Sequence, residues 1–189
     1  MRIAVLSDIH GEFGKLKMIL DQIQGVDKLV LLGDLYVGGD FPSACWTLLK
    51  TLKIDIQILG NTDEWLLESF DISSLDMHCR QEVLAAKAKL NASVMASLRA
   101  ADNEKKRRVG KCNIFCIHDF KITKDLSLAL IEQRMHDYPA DLILCGHTHQ
   151  PMMLQSKDKI LLNPGAVNQG CYALIEIGER VENVSLRRL

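Results

Sequence analysis

Three short apolar runs near the start of the chain, Arg2–Leu6, 28–32 and 54–59, each end in Gly or Ser beside a residue able to bind a metal. The endings are Ser7-Asp8-Ile9-His10-Gly11, Gly33-Asp34 and Gly60-Asn61-Thr62-Asp63. Between the first two runs, Phe13, Leu16, Ile19, Leu20 and Ile23 recur at helical spacing, and between the second and third, residues 43–52 follow Pro42, which suits a helix start. Strand-length apolar runs alternating with helices predict parallel strands in a sheet buried on both faces. Parallel strands bring their carboxyl ends to one rim, and in open α/β sheets sites form outside that rim.

The pattern resumes further on. Residues 113–117 are apolar and end in His118-Asp119, residues 126–135 read as a helix, and 141–144 lead into Cys145-Gly146-His147-Thr148-His149. Side chains of an extended segment alternate between faces, so His147 and His149 reach a common target only if the chain turns, and Gly146 makes a turn inexpensive. Residues 152–154, 160–162, Cys171–Ile177 and 181–186 lack helical spacing. They predict antiparallel strands, in the far part of a mixed sheet or in a second sheet packed on the first. Asn163-Pro164-Gly165 reads as a rigid turn returning to the same rim.

The middle, residues 64–110, is expected to be mostly helical, with Val83, Leu84, Leu90, Val94 and Leu98 on one amphipathic face. The run Lys105-Lys106-Arg107-Arg108 reads as a solvated turn, because Asp102 and Glu104 adjoin it and no aromatics are interleaved. His78 and His136 lack partner patterns, and Trp46 and Trp65 suit packing better than base stacking.

A chain of 189 residues that is 48% hydrophobic can bury a substantial core, and without internal repeat or linker it reads as one domain over 1–189. A net charge of −1 gives no electrostatic case for nucleic acid or an anionic membrane. No segment is apolar for long enough to span a bilayer, so a soluble cytoplasmic protein is expected. The six scattered cysteines, with no Cys-x-x-Cys pair, are expected to be buried reduced thiols. A homo-oligomer stays open.

Collected at one rim, Asp8, His10, Asp34, Asn61, His118, His147 and His149 would supply two carboxylates, four imidazoles and an amide oxygen. That set is too rich for one metal ion and suits two, with one carboxylate shared. Two divalent ions against two aspartates leave a positive site that attracts an anion and holds hydroxide at neutral pH. A phosphate ester is the matching substrate, attacked in line.

Asp8-Ile9-His10, Gly33-Asp34, Gly60-Asn61, His118, Gly146-His147-Thr148-His149 and Asn163-Pro164-Gly165 stand in the order and rough spacing of the calcineurin-like metallophosphoesterase superfamily. Over nearly its whole length the chain resembles the small single-domain bacterial and archaeal phosphodiesterase branch. The resemblance implies a four-layer α/β/β/α sandwich with two mixed sheets. It implies Asp8, His10, Asp34 and His149 on one ion, Asp34, Asn61, His118 and His147 on the other, and Asp34 as the bridge. Manganese is the expected occupant, with iron, nickel, magnesium and zinc as alternatives. The expected activity is metal-dependent phosphodiester or phosphomonoester hydrolysis by a bridging hydroxide, and the alternative is a non-catalytic scaffold within a protein assembly.

Three departures from the family pattern bear on the chemistry. Asn61, Thr62 and Asp63 form the expected catalytic segment, but Thr62 stands where many members carry His and small ones often Cys. A threonine is a poor acid near pH 7, so esters with stable leaving groups are favoured, and Asp63, the partner of that His elsewhere, is left a structural role. Glu12 and Asp119 replace commoner Asn and Gly, adding negative charge near the rim.

Overall fold

The computed structural model describes residues 1–123 and 125–189. Two five-stranded mixed sheets stack face to face. The first runs in the order β10-β9-β1-β2-β3, with β1 Arg2–Leu6, β2 Lys28–Leu31, β3 Ile54–Gln57, β9 Cys171–Ile177 and β10 Val181–Arg188. The second runs β4-β5-β6-β8-β7, with β4 Glu104–Val109, β5 Cys112–Ile117, β6 Leu142–Leu144, β7 Met152–Ser156 and β8 Lys159–Asn163. Strands β1, β2 and β3 are mutually parallel, as are β5, β6 and β8, while β9, β10, β4 and β7 pair antiparallel.

Strand alternation explains why the parallel strands are apolar at nearly every position. Ala4 and Leu6 face outward under the helices, while Ile3 and Val5 face the second sheet. In β6, Leu142 and Leu144 fill the space between sheets, and Ile143 packs outward. Helices α1 Phe13–Gln22, α2 Pro42–Leu49, α4 Met77–Lys89 and α5 Ala92–Ala100 cover the first sheet through Leu16, Ile19, Cys45, Leu49, Val83, Val94 and Leu98. Helix α6 Leu128–Asp137 covers the second through Ile131 and Met135. The layers are therefore α/β/β/α, as expected. All six cysteines are free, five of them buried.

Two expectations are corrected. The amphipathic stretch through Val83 and Leu98 is two helices, because Asn91 breaks it by accepting the Val94 N–H at 3.1 Å and so capping α5. The basic run is no turn: residues 105–108 lie within β4, an edge strand hydrogen-bonded to β5 only. Lysine and arginine on an exposed edge discourage pairing with another chain. Asn61-Thr62-Asp63 opens a short helix, α3 Asn61–Glu64.

The last four strands divide between the sheets. The β7–β8 hairpin joins the second sheet beside β6, and β9–β10 returns to the first beside β1. His78 and His136 are exposed, and Trp46 and Trp65 are half-buried against the first core. Among the described residues no helix is long and apolar enough to cross a membrane.

Candidate metal centre

The carboxyl ends of β1, β2, β3, β5 and β6 open on one rim. The loops there are held by backbone bonds: the Asp8 N–H donates to the Gly33 carbonyl at 3.0 Å, His10 N–H to Asp34 O at 2.9 Å, and Gly146 N–H to His118 O at 2.9 Å. Asp8, His10, Asp34, His147 and His149 all have φ between 50° and 68°. The left-handed region is rare for non-glycine residues and clusters at sites whose surroundings enforce it. Asn163, the buried last residue of β8, braces the last two: its Nδ2 donates to Gly146 O at 2.6 Å and to Thr148 Oγ1 at 3.1 Å.

Two groups of ligand-type side chains result, Asp8 with His10 and His149, and Asp34 with His118 and His147, the ligand atoms within each lying within 4.8 Å of one another. In the first, Asp8 Oδ1 is 3.2 Å from His149 Nε2 and 3.8 Å from His10 Nε2. The two Nε2 atoms are 3.2 Å apart. His10 Nδ1 lies 2.7 Å from the Val37 carbonyl, which can only accept, so Nδ1 carries a proton and Nε2 is the atom turned on His149. A separation of 3.2 Å is hydrogen-bonding distance, so in the absence of a cation one of the two Nε2 atoms carries a proton.

In the second group, His118 Nδ1 donates to Leu32 O at 2.6 Å, leaving Nε2 3.3 Å from Asp34 Oδ2. The same Asp34 oxygen is 3.9 Å from His10 Nε2, so one carboxylate reaches both groups. Asn61 Oδ1 is 2.9 Å from His147 Nδ1. Asp8 Oδ1 and His118 Nε2 are both buried without a hydrogen bond of good geometry. Close approach without hydrogen-bond alignment is what donors converging on a third body produce, and carboxylate, imidazole and amide donors fit divalent transition ions.

The electrostatics describe a chain without metal. Burial alone would lower the His118 pKa, but the Asp34 carboxylate outweighs it and raises the imidazole to about 9. Burial likewise opposes the ionisation of Asp34, yet His118 and His10 bring it down to about 2. His149 is raised by Asp8. These protons stand where cations would, which is the charge balance expected of a metal-binding rim.

Behind the rim, Thr62 donates its N–H to Asp34 Oδ1 at 2.9 Å, while its buried hydroxyl has no hydrogen-bond partner. Asp63 is fully buried and does not reach the rim. Its oxygens accept the Leu35 N–H at 2.9 Å and the Gly60 N–H at 3.1 Å, tying the Asp34 loop to the Asn61 loop. Burial, then the charge of Asp34, raises Asp63 to about 7. The two loops touch closely: Gly33 has φ +92°, and a Cβ there would lie 2.2 Å from Gly60 N.

Residues 1–180 match the calcineurin-like phosphoesterase superfamily domain. The chain belongs to that superfamily. It is 27% identical over 176 residues to the uncharacterized protein MJ0912 of Methanocaldococcus jannaschii, covering 87% of this chain and 69% of that one. A metallophosphoesterase from Sphaerobacter thermophilus is similar over 100% of this chain and 88% of its own, at 24% identity and TM-score 0.77. The hypothetical protein PH1004 of Pyrococcus horikoshii superposes at TM-score 0.85 with 18% identity, over 100% and 87% of the two chains. At these identities the structures establish the fold alone. Sheets and helices match the superfamily architecture throughout.

Within this superfamily member, some partners of the ligand side chains carry no sequence signal. The carbonyls of Leu32 and Val37, which set the His118 and His10 tautomers, could sit behind any residue. Asp119 is different: it directly follows a ligand-type histidine and proves to face His147, 3.9 Å from its Nε2. Glu12 precedes α1 without capping it through its side chain. A cleft of about 270 Å³ adjoins the second group, lined by Asn61, Glu64, His118, Asp119 and Lys121 among others. A larger hollow, about 440 Å³, lies at the opposite strand ends between Lys111, Asp141, Lys157 and Arg180, remote from both groups.

Proposed function

We propose that this phosphoesterase is a two-metal phosphodiesterase acting on a small-molecule or nucleotide phosphate ester. The observation that carries the reading is Asp34 Oδ2, within 3.9 Å of a histidine from each ligand group. Asp8, His10, Asp34 and His149 would hold one ion and Asp34, Asn61, His118 and His147 the other, with manganese the expected metal. Bound divalent ions supply Lewis acidity and an activated water nucleophile at neutral pH. The chain's own contribution is positional. Thr62 N–H fixes the shared carboxylate, and the Leu32 and Val37 carbonyls hold imidazole lone pairs towards the site. The Thr62 hydroxyl is buried behind the rim and cannot protonate a leaving group near pH 7, so stable leaving groups are preferred.

The test is hydrolysis of a chromogenic aryl phosphodiester and the matching monoester by metal-stripped protein, with and without manganese, beside Asp34→Ala and His147→Ala. Manganese-dependent turnover lost in both variants is expected, with the diester faster. A folded protein inactive with every divalent metal tried would refute the enzyme. It would leave the scaffold reading, which Thr62 favours because it removes an ionisable group from the catalytic segment.

A further inference from the structure

The histidines of the rim are oriented in two ways. His10 and His118 each anchor Nδ1 on a backbone carbonyl, Val37 O at 2.7 Å and Leu32 O at 2.6 Å, and present Nε2 to the aspartates. His147 is reversed. Its Nδ1 is the atom on the site, 2.9 Å from Asn61 Oδ1, and its Nε2 points away. No backbone carbonyl among the described residues hydrogen-bonds this ring, and the side chain is 41% exposed, with an edge contact to the His118 ring at 5.3 Å between centroids. What faces Nε2 is the carboxylate of Asp119, with Oδ2 at 3.9 Å.

That carboxylate is itself held. Asp119 Oδ1 accepts the Lys121 N–H at 2.7 Å in a tight turn where Lys121 has φ +60°, and Oδ2 accepts from Lys121 Nζ at 2.7 Å. Metal-ligating histidines characteristically donate their remote N–H to a carbonyl or carboxylate, which fixes the tautomer and raises the basicity of the ligating nitrogen. We propose that Asp119 is the positioning residue of the second ion's centre, taking the Nε2–H of His147 directly after a small side-chain rotation or through one water, so that Nδ1 keeps its lone pair for the ion. A separation of 3.9 Å suits either route. Asp119 thereby does for His147 what Leu32 O does for His118. The inference rests on the two-ion reading above and assigns a role to a residue outside the ligand set.

The test uses the full chain, stripped of metal and titrated with manganese, free ion being followed by its paramagnetic resonance signal. Asp119→Asn keeps an oxygen for the Lys121 N–H and so preserves the turn, but removes the charge facing His147; Asp119→Ala removes both. The expected result is that Asp119→Asn weakens one of the two manganese sites about 10–100-fold and leaves the other unchanged. In zinc-loaded protein, the imidazole nitrogen correlations of His147 should show Nε2–H in the parent and a displaced signal in the variant. Two sites of parental affinity in Asp119→Asn, with or without impairment in Asp119→Ala, would overturn the proposal and make the residue a turn-former only. Fewer than two sites in the parent would instead overturn the two-ion reading from which it starts.

Discussion

Replacing Gly60 by alanine should damage both halves of the site through a single methyl group. Gly60 has φ −97° and ψ 173°, an extended conformation open to alanine, so no backbone strain is added. The new Cβ, however, would sit 2.1 Å from Asp34 Oδ1 and 2.5 Å from Asp34 N. Comfortable separations begin near 3.5 Å, so one loop must move by about 1 Å or more. Overpacking of this kind costs about 1–3 kcal/mol. Displacing Asp34 also breaks the 2.9 Å bond from Thr62 N–H, a hydrogen bond to a charged acceptor contributing about 1.5–3 kcal/mol. The sum, about 2.5–6 kcal/mol, corresponds to a melting temperature lower by about 5–24 °C in a domain of this size. Because Asp34 serves both groups, neither ion should bind at parental affinity. The assays are thermal unfolding and manganese titration, with Gly25→Ala as control: there φ is +78° but nothing lies within 4 Å of the added carbon. The control should lose about 1 kcal/mol and keep both ions. A Gly60→Ala protein melting within 2 °C of its parent (about 1 kcal/mol or less) and binding metal normally would refute the steric argument.

The metal-free protein should show a pH dependence of definite sign. His118, raised to about 9, contributes stability that is complete below its unfolded pKa near 6.5 and lost as pH rises through 9; Asp34, lowered to about 2, contributes stability lost as pH falls from 3.8 towards 2. Denaturant midpoints of chelator-treated protein should therefore fall between pH 6.5 and 9, and a flat profile there would contradict the His118–Asp34 pairing; calorimetry at pH 7.5 in buffers of different ionisation heat should also detect about one proton released from His118 as metal binds. Asp63→Ala would leave the Leu35 and Gly60 N–H groups without acceptors, at about 1–3 kcal/mol each, and a variant as stable as the parent would show that Asp63 does not brace the loops.

The alternation of β1, α1, β2, α2 and β3 was legible because burial on both faces makes strands such as Leu29 to Leu31 continuously apolar, while Leu16 and Ile19 keep helical spacing. The rim residues were legible for the same reason: each follows directly where such a run stops. The allocation of the last strands was not. A hairpin such as β7–β8 satisfies its own pairing locally, and nothing in its pattern says which sheet edge it joins. β4 was hidden because both its faces are largely solvated, so Lys105 to Arg108 carry no alternation to read. The break before α5 hung on one side chain, Asn91, whose cap competes with an apolar periodicity that runs straight through it. The approach of Asp119 to His147 joins residues 28 positions apart, and the local signature is only that Asp119 follows His118.

Asp8, His10, Asp34, His147 and His149 share left-handed backbone conformations, and this bears on how the protein could be engineered. Each such residue is disfavoured by about 1 kcal/mol relative to glycine at the same position. Backbone energetics therefore reward the loss of the very side chains that define the centre. A selection for thermal tolerance carried out without metal would drift towards glycine at these positions and recover sturdier, inert protein. Carried out with a saturating divalent ion, the same selection would reward their retention, because binding adds to the stability of the folded chain.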